Sequence, residues 1–478
     1  MKSDNVLTSI PNRKLPLKVK ILYGTGDIAK TLLVCLTAMF SLYFYTEVCG
    51  INSGIASTII LIAKIWDIIN DPMMGAIVDR TKSKEGKCRF WLKYMSVPGG
   101  IVLALSFICP ELTATGKIVW VAVTYTLQGM ASTAIMIPMN TMMGRLTSDP
   151  VERASLNQIK GIFSLIPNLA VPAVTMPLVI AFGKGDMHKG FLAVAILYGV
   201  IYALCNFIVF VGTSGYEPVE YLAEARTSGQ NAEQKVQTPI SQVLLALLKN
   251  TPWLLIIAMY FVDMIGLAIG NSVMTWYYQY NLNNIELMSL VSSISITISL
   301  VVYLILGACI KKFGNAGTSV IGCVVAVTGY LIRFLLSDTN VAVILGGSIL
   351  AQFGSVLAAS TILLMIFDAK IYGEWKTGVD NEAILMSGFS VAYKTGQAIG
   401  GPIAGYLLML VPYVPQALVQ EQSVLKLWFL ESTLIPAIGF AIAALIVLKL
   451  RKYEKMVPQM REELKERAEK AKNRSSIG

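Results

Sequence analysis

The chain has 478 residues, of which 55% are hydrophobic and only 14% are charged, and its formal net charge is +10. A soluble globular domain carries about 25% charged residues, so this composition excludes an ordinary soluble protein and indicates a polytopic membrane protein. The basic residues cluster in short loops and in the tails, which is typical of cytoplasmic loops and not of a nucleic-acid-binding surface. We therefore expect membrane lipids as neighbours and no nucleic acid partner.

Apolar stretches of about 20 residues, the length that crosses a bilayer, recur along the chain. We predict twelve spans, at residues 18–46, 54–79, 91–109, 117–142, 157–183, 190–213, 251–280, 287–310, 317–336, 341–367, 383–411 and 426–449. An even number of spans places both termini on one side of the membrane. That side is predicted to be cytoplasmic, because basic residues crowd the loop after the second span, follow the eighth span and fill the tail. We expect a multi-pass protein of the plasma (inner) membrane.

The longest polar stretch divides the chain into two halves. The predicted domains are an N-terminal six-helix half at 1–213, a cytoplasmic middle loop at 214–250, a C-terminal six-helix half at 251–449 and a basic cytoplasmic tail at 450–478. Two parallel six-helix halves form the major facilitator fold, in which the substrate site lies between them. The sequence thus predicts an all-α fold of twelve transmembrane helices. The tail is interpreted as a charged helix, solvated on the inner membrane surface.

Two aspartates lie inside the apolar second span. Asp67 and Asp71 are four residues apart, which places them on the same face of a helix. A carboxylate in such a segment costs roughly 3 kcal/mol or more unless something pairs with it, and two on one face repel each other. A bound cation or proton would relieve both penalties. The alternative is a structural clamp, in which an Arg or Lys from another helix pairs with both aspartates; we favour the cation.

Five motifs are spread over nearly the whole chain. They are Tyr23-Gly24-Thr25-Gly26-Asp27, Ile65-Trp66-Asp67-Ile68-Ile69-Asn70-Asp71-Pro72, Gly86-Lys87-Cys88-Arg89-Phe90, Tyr372-Gly373-Glu374-Trp375-Lys376-Thr377-Gly378 and Lys394-Thr395-Gly396-Gln397. Together they resemble the glycoside–pentoside–hexuronide:cation symporters, the melibiose permease family. The resemblance implies a major facilitator transporter that moves a sugar or glycoside with Na⁺, Li⁺ or H⁺. It implies no enzymatic activity and no cofactor beyond the coupling ion.

The resemblance also implies a cation site on the second and fourth spans. Its residues would be Asp67, Asn70, Asp71 and Thr133, all with hard oxygen atoms. The amide and the hydroxyl favour Na⁺ at Asp67 and Asp71, because a proton would need only a carboxylate.

The loop after the second span resembles the conserved major facilitator loop. There, Gly75 is expected to permit close helix approach, and Asp79 and Arg80 to latch helix ends. We assign gating or loop roles to Asp79, Arg80, Glu374 and Lys376.

The acidic residues that grip sugar hydroxyls in galactoside-transporting relatives are replaced here by Thr31 and Met136, and a stacking tryptophan by Asn140. The predicted substrate-binding residues are Asp27, Lys30, Thr31, Met136, Asn140, Lys160, Tyr393, Lys394 and Gln397. If Lys160 and Lys394 face the substrate cavity, their positive charges favour an anionic sugar, such as a uronide or a sulfonated sugar, as the substrate.

Three alternatives concern the charged members of this set. Lys160 would instead be a cytoplasmic helix-end charge, and Lys394 would balance the charge of the cation-site aspartates. For Asp27 and Lys30, three residues apart on the first span, we favour an internal salt bridge over a ligand role.

The prediction is a secondary active symporter, working as a monomer, that couples Na⁺ or H⁺ entry to uptake of a sugar-like solute by alternating access. A lysolipid cargo and a sensor that retains the fold are the alternatives. An enzyme is disfavoured, because no nucleophile–base or metal-ligand constellation is present and His188 is the one histidine. Seven scattered cysteines form no CxxC pair and are interpreted as small apolar packing residues.

Overall fold

The computed structural model describes residues 14–147, 149–217, 249–336, 340–377 and 382–475, and every regular element in these ranges is helical. Residues 218–248, most of the predicted middle loop, lie outside them. The first six helices are α1 (Leu17–Tyr43), α2 (Ser53–Arg80), α3 (Lys87–Leu105), α4 (Ala114–Leu146), α5 (Pro150–Gly183) and α6 (Met187–Gly212). The remaining five are α7 (Thr251–Trp276), α8 (Glu286–Leu336), α9 (Val341–Thr377), α10 (Glu382–Leu408) and α11 (Gln422–Ser475). Two π-helical turns, Phe44–Val48 and Tyr277–Asn281, continue α1 and α7.

Within these ranges, nine helical segments are long and apolar enough to cross a membrane. The prediction of an all-helical, multi-pass membrane protein is therefore confirmed. The predicted spans at 287–310 and 317–336 form one helix, α8, of 51 residues. Gly314 interrupts α8 with φ of 76°, a conformation that a residue without a Cβ adopts without strain. The helix kinks at this glycine.

The described residues form two compact units. The first contains α1 to α6 together with Asn284–Ser292 and Gly405–Gln420, and the second contains the rest of the described chain from residue 249 onward. In the first unit, α1 packs against α5 and α6, α3 against α4 and α6, and α2 against α4. Gly100 and Gly199 allow α3 and α6 to approach closely, because a Cβ on either would overlap the carbonyl oxygen of the other.

An aromatic cluster joins three helices at one end of the first unit. The ring of Phe44, in the π-helical turn after α1, lies 5.2 Å from Phe107, just beyond α3, and 5.2 Å from Phe191 on α6. All three rings are buried. Large rings contribute most of the burial energy in such a core, so the ends of α1 and α3 are held together here.

In the second unit, α7 packs against α11 and α9, and Trp276 stacks on Trp428 with ring centroids 5.9 Å apart. The tail is part of α11, which continues unbroken to Ser475. Glu454 accepts hydrogen bonds from the backbone N–H groups of Asn315 and Ala316, just after the kink in α8. A carboxylate at the start of a helical segment satisfies free N–H groups and complements the helix dipole.

Farther along the tail, Glu463 accepts a hydrogen bond of 2.6 Å from the indole of Trp375. Arg467 donates a hydrogen bond of 2.8 Å to the backbone carbonyl of Trp375. The tail is thus helical, as the sequence predicts. Its charged side chains are largely exposed, and these two bonds attach the helix to the end of α9.

Candidate cation and solute sites

The helix α2 presents two different faces. Asn52 caps its start by accepting a hydrogen bond of 3.0 Å from the N–H of Gly54. One face carries exposed apolar side chains suited to lipid, among them Ile62, Ile65 and Ile69, each about half exposed. The other face carries Asp67, Asn70 and Asp71, with Asn70 buried. Residues three or four positions apart lie on the same face of a helix, so the polar side chains of α2 face protein and its apolar side chains face lipid.

The polar face of α2 lies against α4, with which it runs parallel. Thr133 on α4 donates a hydrogen bond of 3.0 Å to Oδ1 of Asp71. One turn earlier, Gly129 faces Asp67 so closely that a Cβ there would overlap Oδ1 of that carboxylate. Asp67 and Asp71 on one helix therefore match Gly129 and Thr133 on the other, pair by pair at the same spacing of four. The structure brings three of the four predicted cation ligands, Asp67, Asp71 and Thr133, to this one helix pair, and Asn70 lies on α2 between the aspartates.

Sequence reasoning missed Lys64 and the close contact at Gly129. The Nζ of Lys64 lies 3.8 Å from Oδ2 of Asp67, within α2 itself. This ion pair differs from the interhelical clamp considered above. Its signal was present in the sequence, because Lys64 precedes Asp67 by three residues, a spacing at which helical side chains meet. The packing of Gly129 against Asp67 has no such local signal.

The proline in α2 leaves one backbone carbonyl of this helix without its usual partner. Pro72 follows Asp71 directly and has no backbone N–H, so the carbonyl of Ile68 loses its usual helical donor. The carboxylate, amide and hydroxyl oxygens of Asp67, Asn70, Asp71 and Thr133 are hard ligands, the kind that alkali and alkaline-earth cations prefer. The arrangement is chemically suited to hold a small cation.

A second polar group joins α1, α4 and α5. Lys160 on α5 lies with its Nζ 3.5 Å from Oδ2 of Asp27 and donates a hydrogen bond of 3.1 Å to Oδ1 of Asn140. Lys30 is 4.0 Å from the other oxygen of Asp27, which is the internal ion pair that we favoured. Lys160 is only 7% exposed and lies ten residues after the start of α5, which contradicts the alternative of a cytoplasmic helix-end charge. Two ammonium groups and one carboxylate leave this group with one excess positive charge.

Tyr23 was quoted in a motif but not assigned a role. Its hydroxyl donates a hydrogen bond of 2.7 Å to the carbonyl of Met139, and its ring lies 5.9 Å from the Nζ of Lys160. The tyrosine thus fixes α1 on α4 beside the charged group. Thr31 and Met136, also predicted to contact substrate, are half-buried on α1 and α4.

The three remaining predicted substrate residues lie on α10 in the second unit. Gln397 donates a hydrogen bond of 2.9 Å to the hydroxyl of Tyr393. The ring of Tyr393 stacks 6.2 Å from that of Tyr260 on α7, and Lys394 is half-buried.

The predicted gating residues differ in their surroundings. Arg80 is exposed at the end of α2, and the side chain of Asp79 lies outside the described part of the structure. The expectation that Gly75 permits close helix approach is not met among the described residues, none of which lies within 4 Å of the place a Cβ would occupy. Lys376 is exposed and donates hydrogen bonds of 3.1 Å to the carbonyl of Lys249 and to the hydroxyl of Tyr372. Glu374, near the end of α9, is half-buried.

Comparison with known proteins gives consistent matches. The family model described as MFS/sugar transport protein matches residues 22–453. The isoprimeverose transporter of Lactiplantibacillus pentosus is 29% identical over 96% of this chain and 93% of its own length. A Salmonella typhimurium protein provisionally named as a sulfoquinovose importer is 25% identical over 87% of this chain and 85% of its own.

Solved structures share the fold at low identity. A bacterial homologue of the human lysosomal transporter Spinster superposes with a TM-score of 0.63 at 11% identity, covering 93% of this chain and 97% of that one. The D-xylose–proton symporter superposes with a TM-score of 0.60 at 13% identity, covering 90% and 96%. With the family model matching most of its length, the chain belongs to the MFS/sugar transport protein family, as a transporter like the glycoside–pentoside–hexuronide symporters and not an enzyme.

Proposed function

We propose that this protein couples the entry of Na⁺ to the uptake of an anionic sugar by alternating access. The observation that carries the coupling is the hydrogen bond from Thr133 to Asp71, together with the close packing of Gly129 against Asp67 one helical turn away. It supports a site in which two carboxylates of α2 share their ligand sphere with α4. A cation that binds there offsets the repulsion of the two carboxylates.

Cation binding also competes with the ion pair inside α2. In the described structure, Lys64 lies beside Asp67, and a cation between the carboxylates would repel the ammonium group. We propose that Na⁺ displaces Lys64 and draws α2 and α4 together, raising the affinity of the neighbouring solute site. By linkage, the solute raises the affinity for Na⁺ by the same factor.

The group at Asp27 supports an anionic cargo. Lys160 and Lys30 exceed the single carboxylate by one positive charge, and the Lys160 ammonium is buried. Two ammonium groups around one carboxylate, one of them buried, favour a ligand of negative charge, while Asn140 and Asp27 can bind sugar hydroxyls. Sulfoquinovose, the sulfonated sugar in the name of one relative, has this chemistry. Isoprimeverose, in the name of another, is uncharged and serves as the comparison.

We further propose twelve transmembrane helices in two six-helix halves, with the domain limits given above, both termini in the cytoplasm of a plasma (inner) membrane protein, and a monomeric working state. The nine long apolar segments support this count when α3 and α10 are added and α8 is divided at Gly314.

The test is uptake into proteoliposomes. Radiolabelled sulfoquinovose, glucuronate and isoprimeverose are offered with an inward Na⁺ gradient, an inward H⁺ gradient or neither. Wild type is compared with Asp71→Asn and with Asp186→Asn, a control at the start of α6, where Asn caps a helix as well as Asp does. We expect Na⁺-driven accumulation of the anionic sugars in wild type and control, and its loss in Asp71→Asn.

Each contrary outcome refutes a separate part. Accumulation driven only by H⁺ refutes the sodium site, and accumulation of isoprimeverose alone refutes the anionic cargo. No accumulation of any sugar under either gradient refutes sugar transport and favours the lysolipid or sensor alternatives.

A further inference from the structure

The ends of α1 and α3 are held together by contacts from several directions. The rings of Phe44 and Phe107 pack at 5.2 Å, and the hydroxyl of Tyr45 donates a hydrogen bond of 3.3 Å to the carbonyl of Ser106. Both residue pairs join the π-helical turn after α1 to the segment after α3. This region of the first unit is therefore fixed in place by packing as well as by hydrogen bonds.

Two cysteines meet at this junction. Cys49 directly follows the π-helical turn, and Cys109 lies four residues beyond the end of α3. Their side chains lie close enough to interact electrostatically. The ammonium of Lys117, at the start of α4, donates a hydrogen bond of 3.3 Å to the carbonyl of Cys49. Sixty positions separate the two cysteines in the sequence, so the fold alone brings them together.

The two thiols differ in environment. Cys49 is 2% exposed, whereas Cys109 is partly exposed. The neighbouring Cys49 thiol, helped by the charge of Lys117, lowers the pKa of Cys109, while the Cys109 thiol and burial raise the pKa of Cys49. The thiolate is the form that attacks a disulfide. Cys109 is therefore the thiol that is exposed enough and ionised enough to attack a disulfide first. Cys49, which is buried and protonated, is the thiol that completes the exchange in the second step.

We propose that Cys49 and Cys109 are a redox pair that forms a disulfide bond between the ends of α1 and α3. With both termini cytoplasmic, as proposed above, these ends lie on the outer face of the membrane, where disulfides persist. The bond closes a loop that includes α2 and α3 and fastens the end of α1 to that of α3. It lies within one compact unit, so it stabilises that unit without joining it to the other.

The oxidant is a disulfide-containing compound or protein, RSSR. The Cys109 thiolate attacks one sulfur of RSSR, which forms a mixed disulfide and releases one RS⁻. Cys49 then loses its proton and attacks the sulfur of Cys109, which forms the intramolecular bond and releases the second RS⁻. The two protons from the cysteines convert the two RS⁻ to RSH. The cysteines are oxidised by two electrons, and RSSR is reduced by the same two.

The test uses the purified full-length protein and oxidised glutathione. After oxidation, alkylatable thiols in the denatured protein are counted and the tryptic peptides are analysed by mass spectrometry without reduction. The expected result is a fall from seven thiols to five and a peptide linking Cys49 to Cys109. Cys109→Ser should keep six free thiols, and Cys35→Ser, a control on α1, should still form the bond.

A second readout is thermal unfolding. Closing a loop of this length reduces the freedom of the unfolded chain, so oxidation should raise the unfolding temperature of wild type by several degrees, reversibly with dithiothreitol. The Cys49→Ser variant should show no such rise. The proposed disulfide is wrong if oxidised wild type lacks the linked peptide, or if oxidation raises the unfolding temperature of Cys49→Ser as much as that of wild type.

The side of the membrane is tested in intact cells. After reduction, a membrane-impermeant maleimide should label Cys109 in the Cys49→Ser variant. Labelling only after the cells are opened would overturn the outer location.

Discussion

Substitution of Gly129 by alanine tests the cation site through a single methyl group. A Cβ at this position of α4 would overlap Oδ1 of Asp67 and would lie 3.2 Å from its Cγ. The carboxylate is the end of a flexible side chain, so it moves away while the helices stay in place. Alanine also stabilises a helix interior relative to glycine by roughly 0.5–1 kcal/mol. The variant is therefore expected to fold normally with one misplaced ligand.

The size of the effect follows from the displacement. To reach an ordinary van der Waals distance of about 3.4 Å from the new methyl group, the oxygen must retreat by about 1 Å. Moving one carboxylate oxygen from about 2.4 Å to about 3.4 Å from a monovalent cation, at an effective dielectric constant of about 20, weakens the attraction by about 2 kcal/mol. At about 1.4 kcal/mol per tenfold, the affinity for Na⁺ falls about 30-fold.

The measurement is the Na⁺ concentration that gives half-maximal solute uptake in proteoliposomes. The control is Gly144→Ala on the same helix, where no described residue lies within 4 Å of the new Cβ. The control should match wild type in its sodium dependence, and Gly129→Ala should need about 30 times more Na⁺ while its unfolding temperature is no lower than that of wild type. If the two alanine variants show the same sodium dependence within twofold, Asp67 does not bind the cation and the proposed site is wrong.

Three further predictions concern single side chains. Thr133→Ala removes a hydrogen bond to a carboxylate, worth about 1.5–3 kcal/mol, and should raise the half-maximal Na⁺ concentration at least tenfold, whereas Thr133→Ser should stay near wild type. Lys160→Met leaves Asp27 without its buried partner and should lower the free energy of unfolding by about 3–5 kcal/mol, measured by thermal unfolding. Adding Asp27→Asn should restore most of this stability, and a failure to do so would contradict the pairing. The hydrogen bond from Lys20, together with one from a backbone N–H, lowers the pKa of Glu152 below its ordinary value. That contribution to stability is present above the unfolded-state pKa of about 4.3 and is lost as pH falls through the folded pKa. The backbone N–H that Glu152 binds belongs to Leu15, so acid should increase proteolysis near Leu15 in wild type, and Glu152→Gln should show the same cleavage at every pH.

Much of the site on α2 could be predicted from the sequence because its geometry is local. A spacing of four residues places Asp67 and Asp71 on one helical face in any fold, and the hydrophobic stretch around them shows that this helix crosses a membrane. The same local rule explains the pair of Asp27 and Lys30. It also predicts that Lys64 meets Asp67, an inference that the sequence permitted and that was not drawn.

Glycines show where local reasoning fails. Gly75 lies in a motif that suggested a close helix contact, yet no described residue lies within 4 Å of the place its Cβ would occupy. Gly129, which carried no such expectation, is pressed against Asp67. The two are equivalent in propensity and in hydropathy. Only the neighbour that packing places opposite each one decides which is constrained.

By itself, the sequence determined that this protein is a helical, multi-pass membrane protein, because hydropathy and helical periodicity act over a few turns. Its motifs added the resemblance to a family of sugar transporters. The tertiary structure alone decided which distant groups meet. Lys160 is buried against Asp27 and Asn140, and Cys49 lies beside Cys109. The tail carboxylate of Glu454 caps the second part of α8. These contacts depend on how whole helices pack, and the free energy that selects that packing is summed over many side chains, so no single motif contains it.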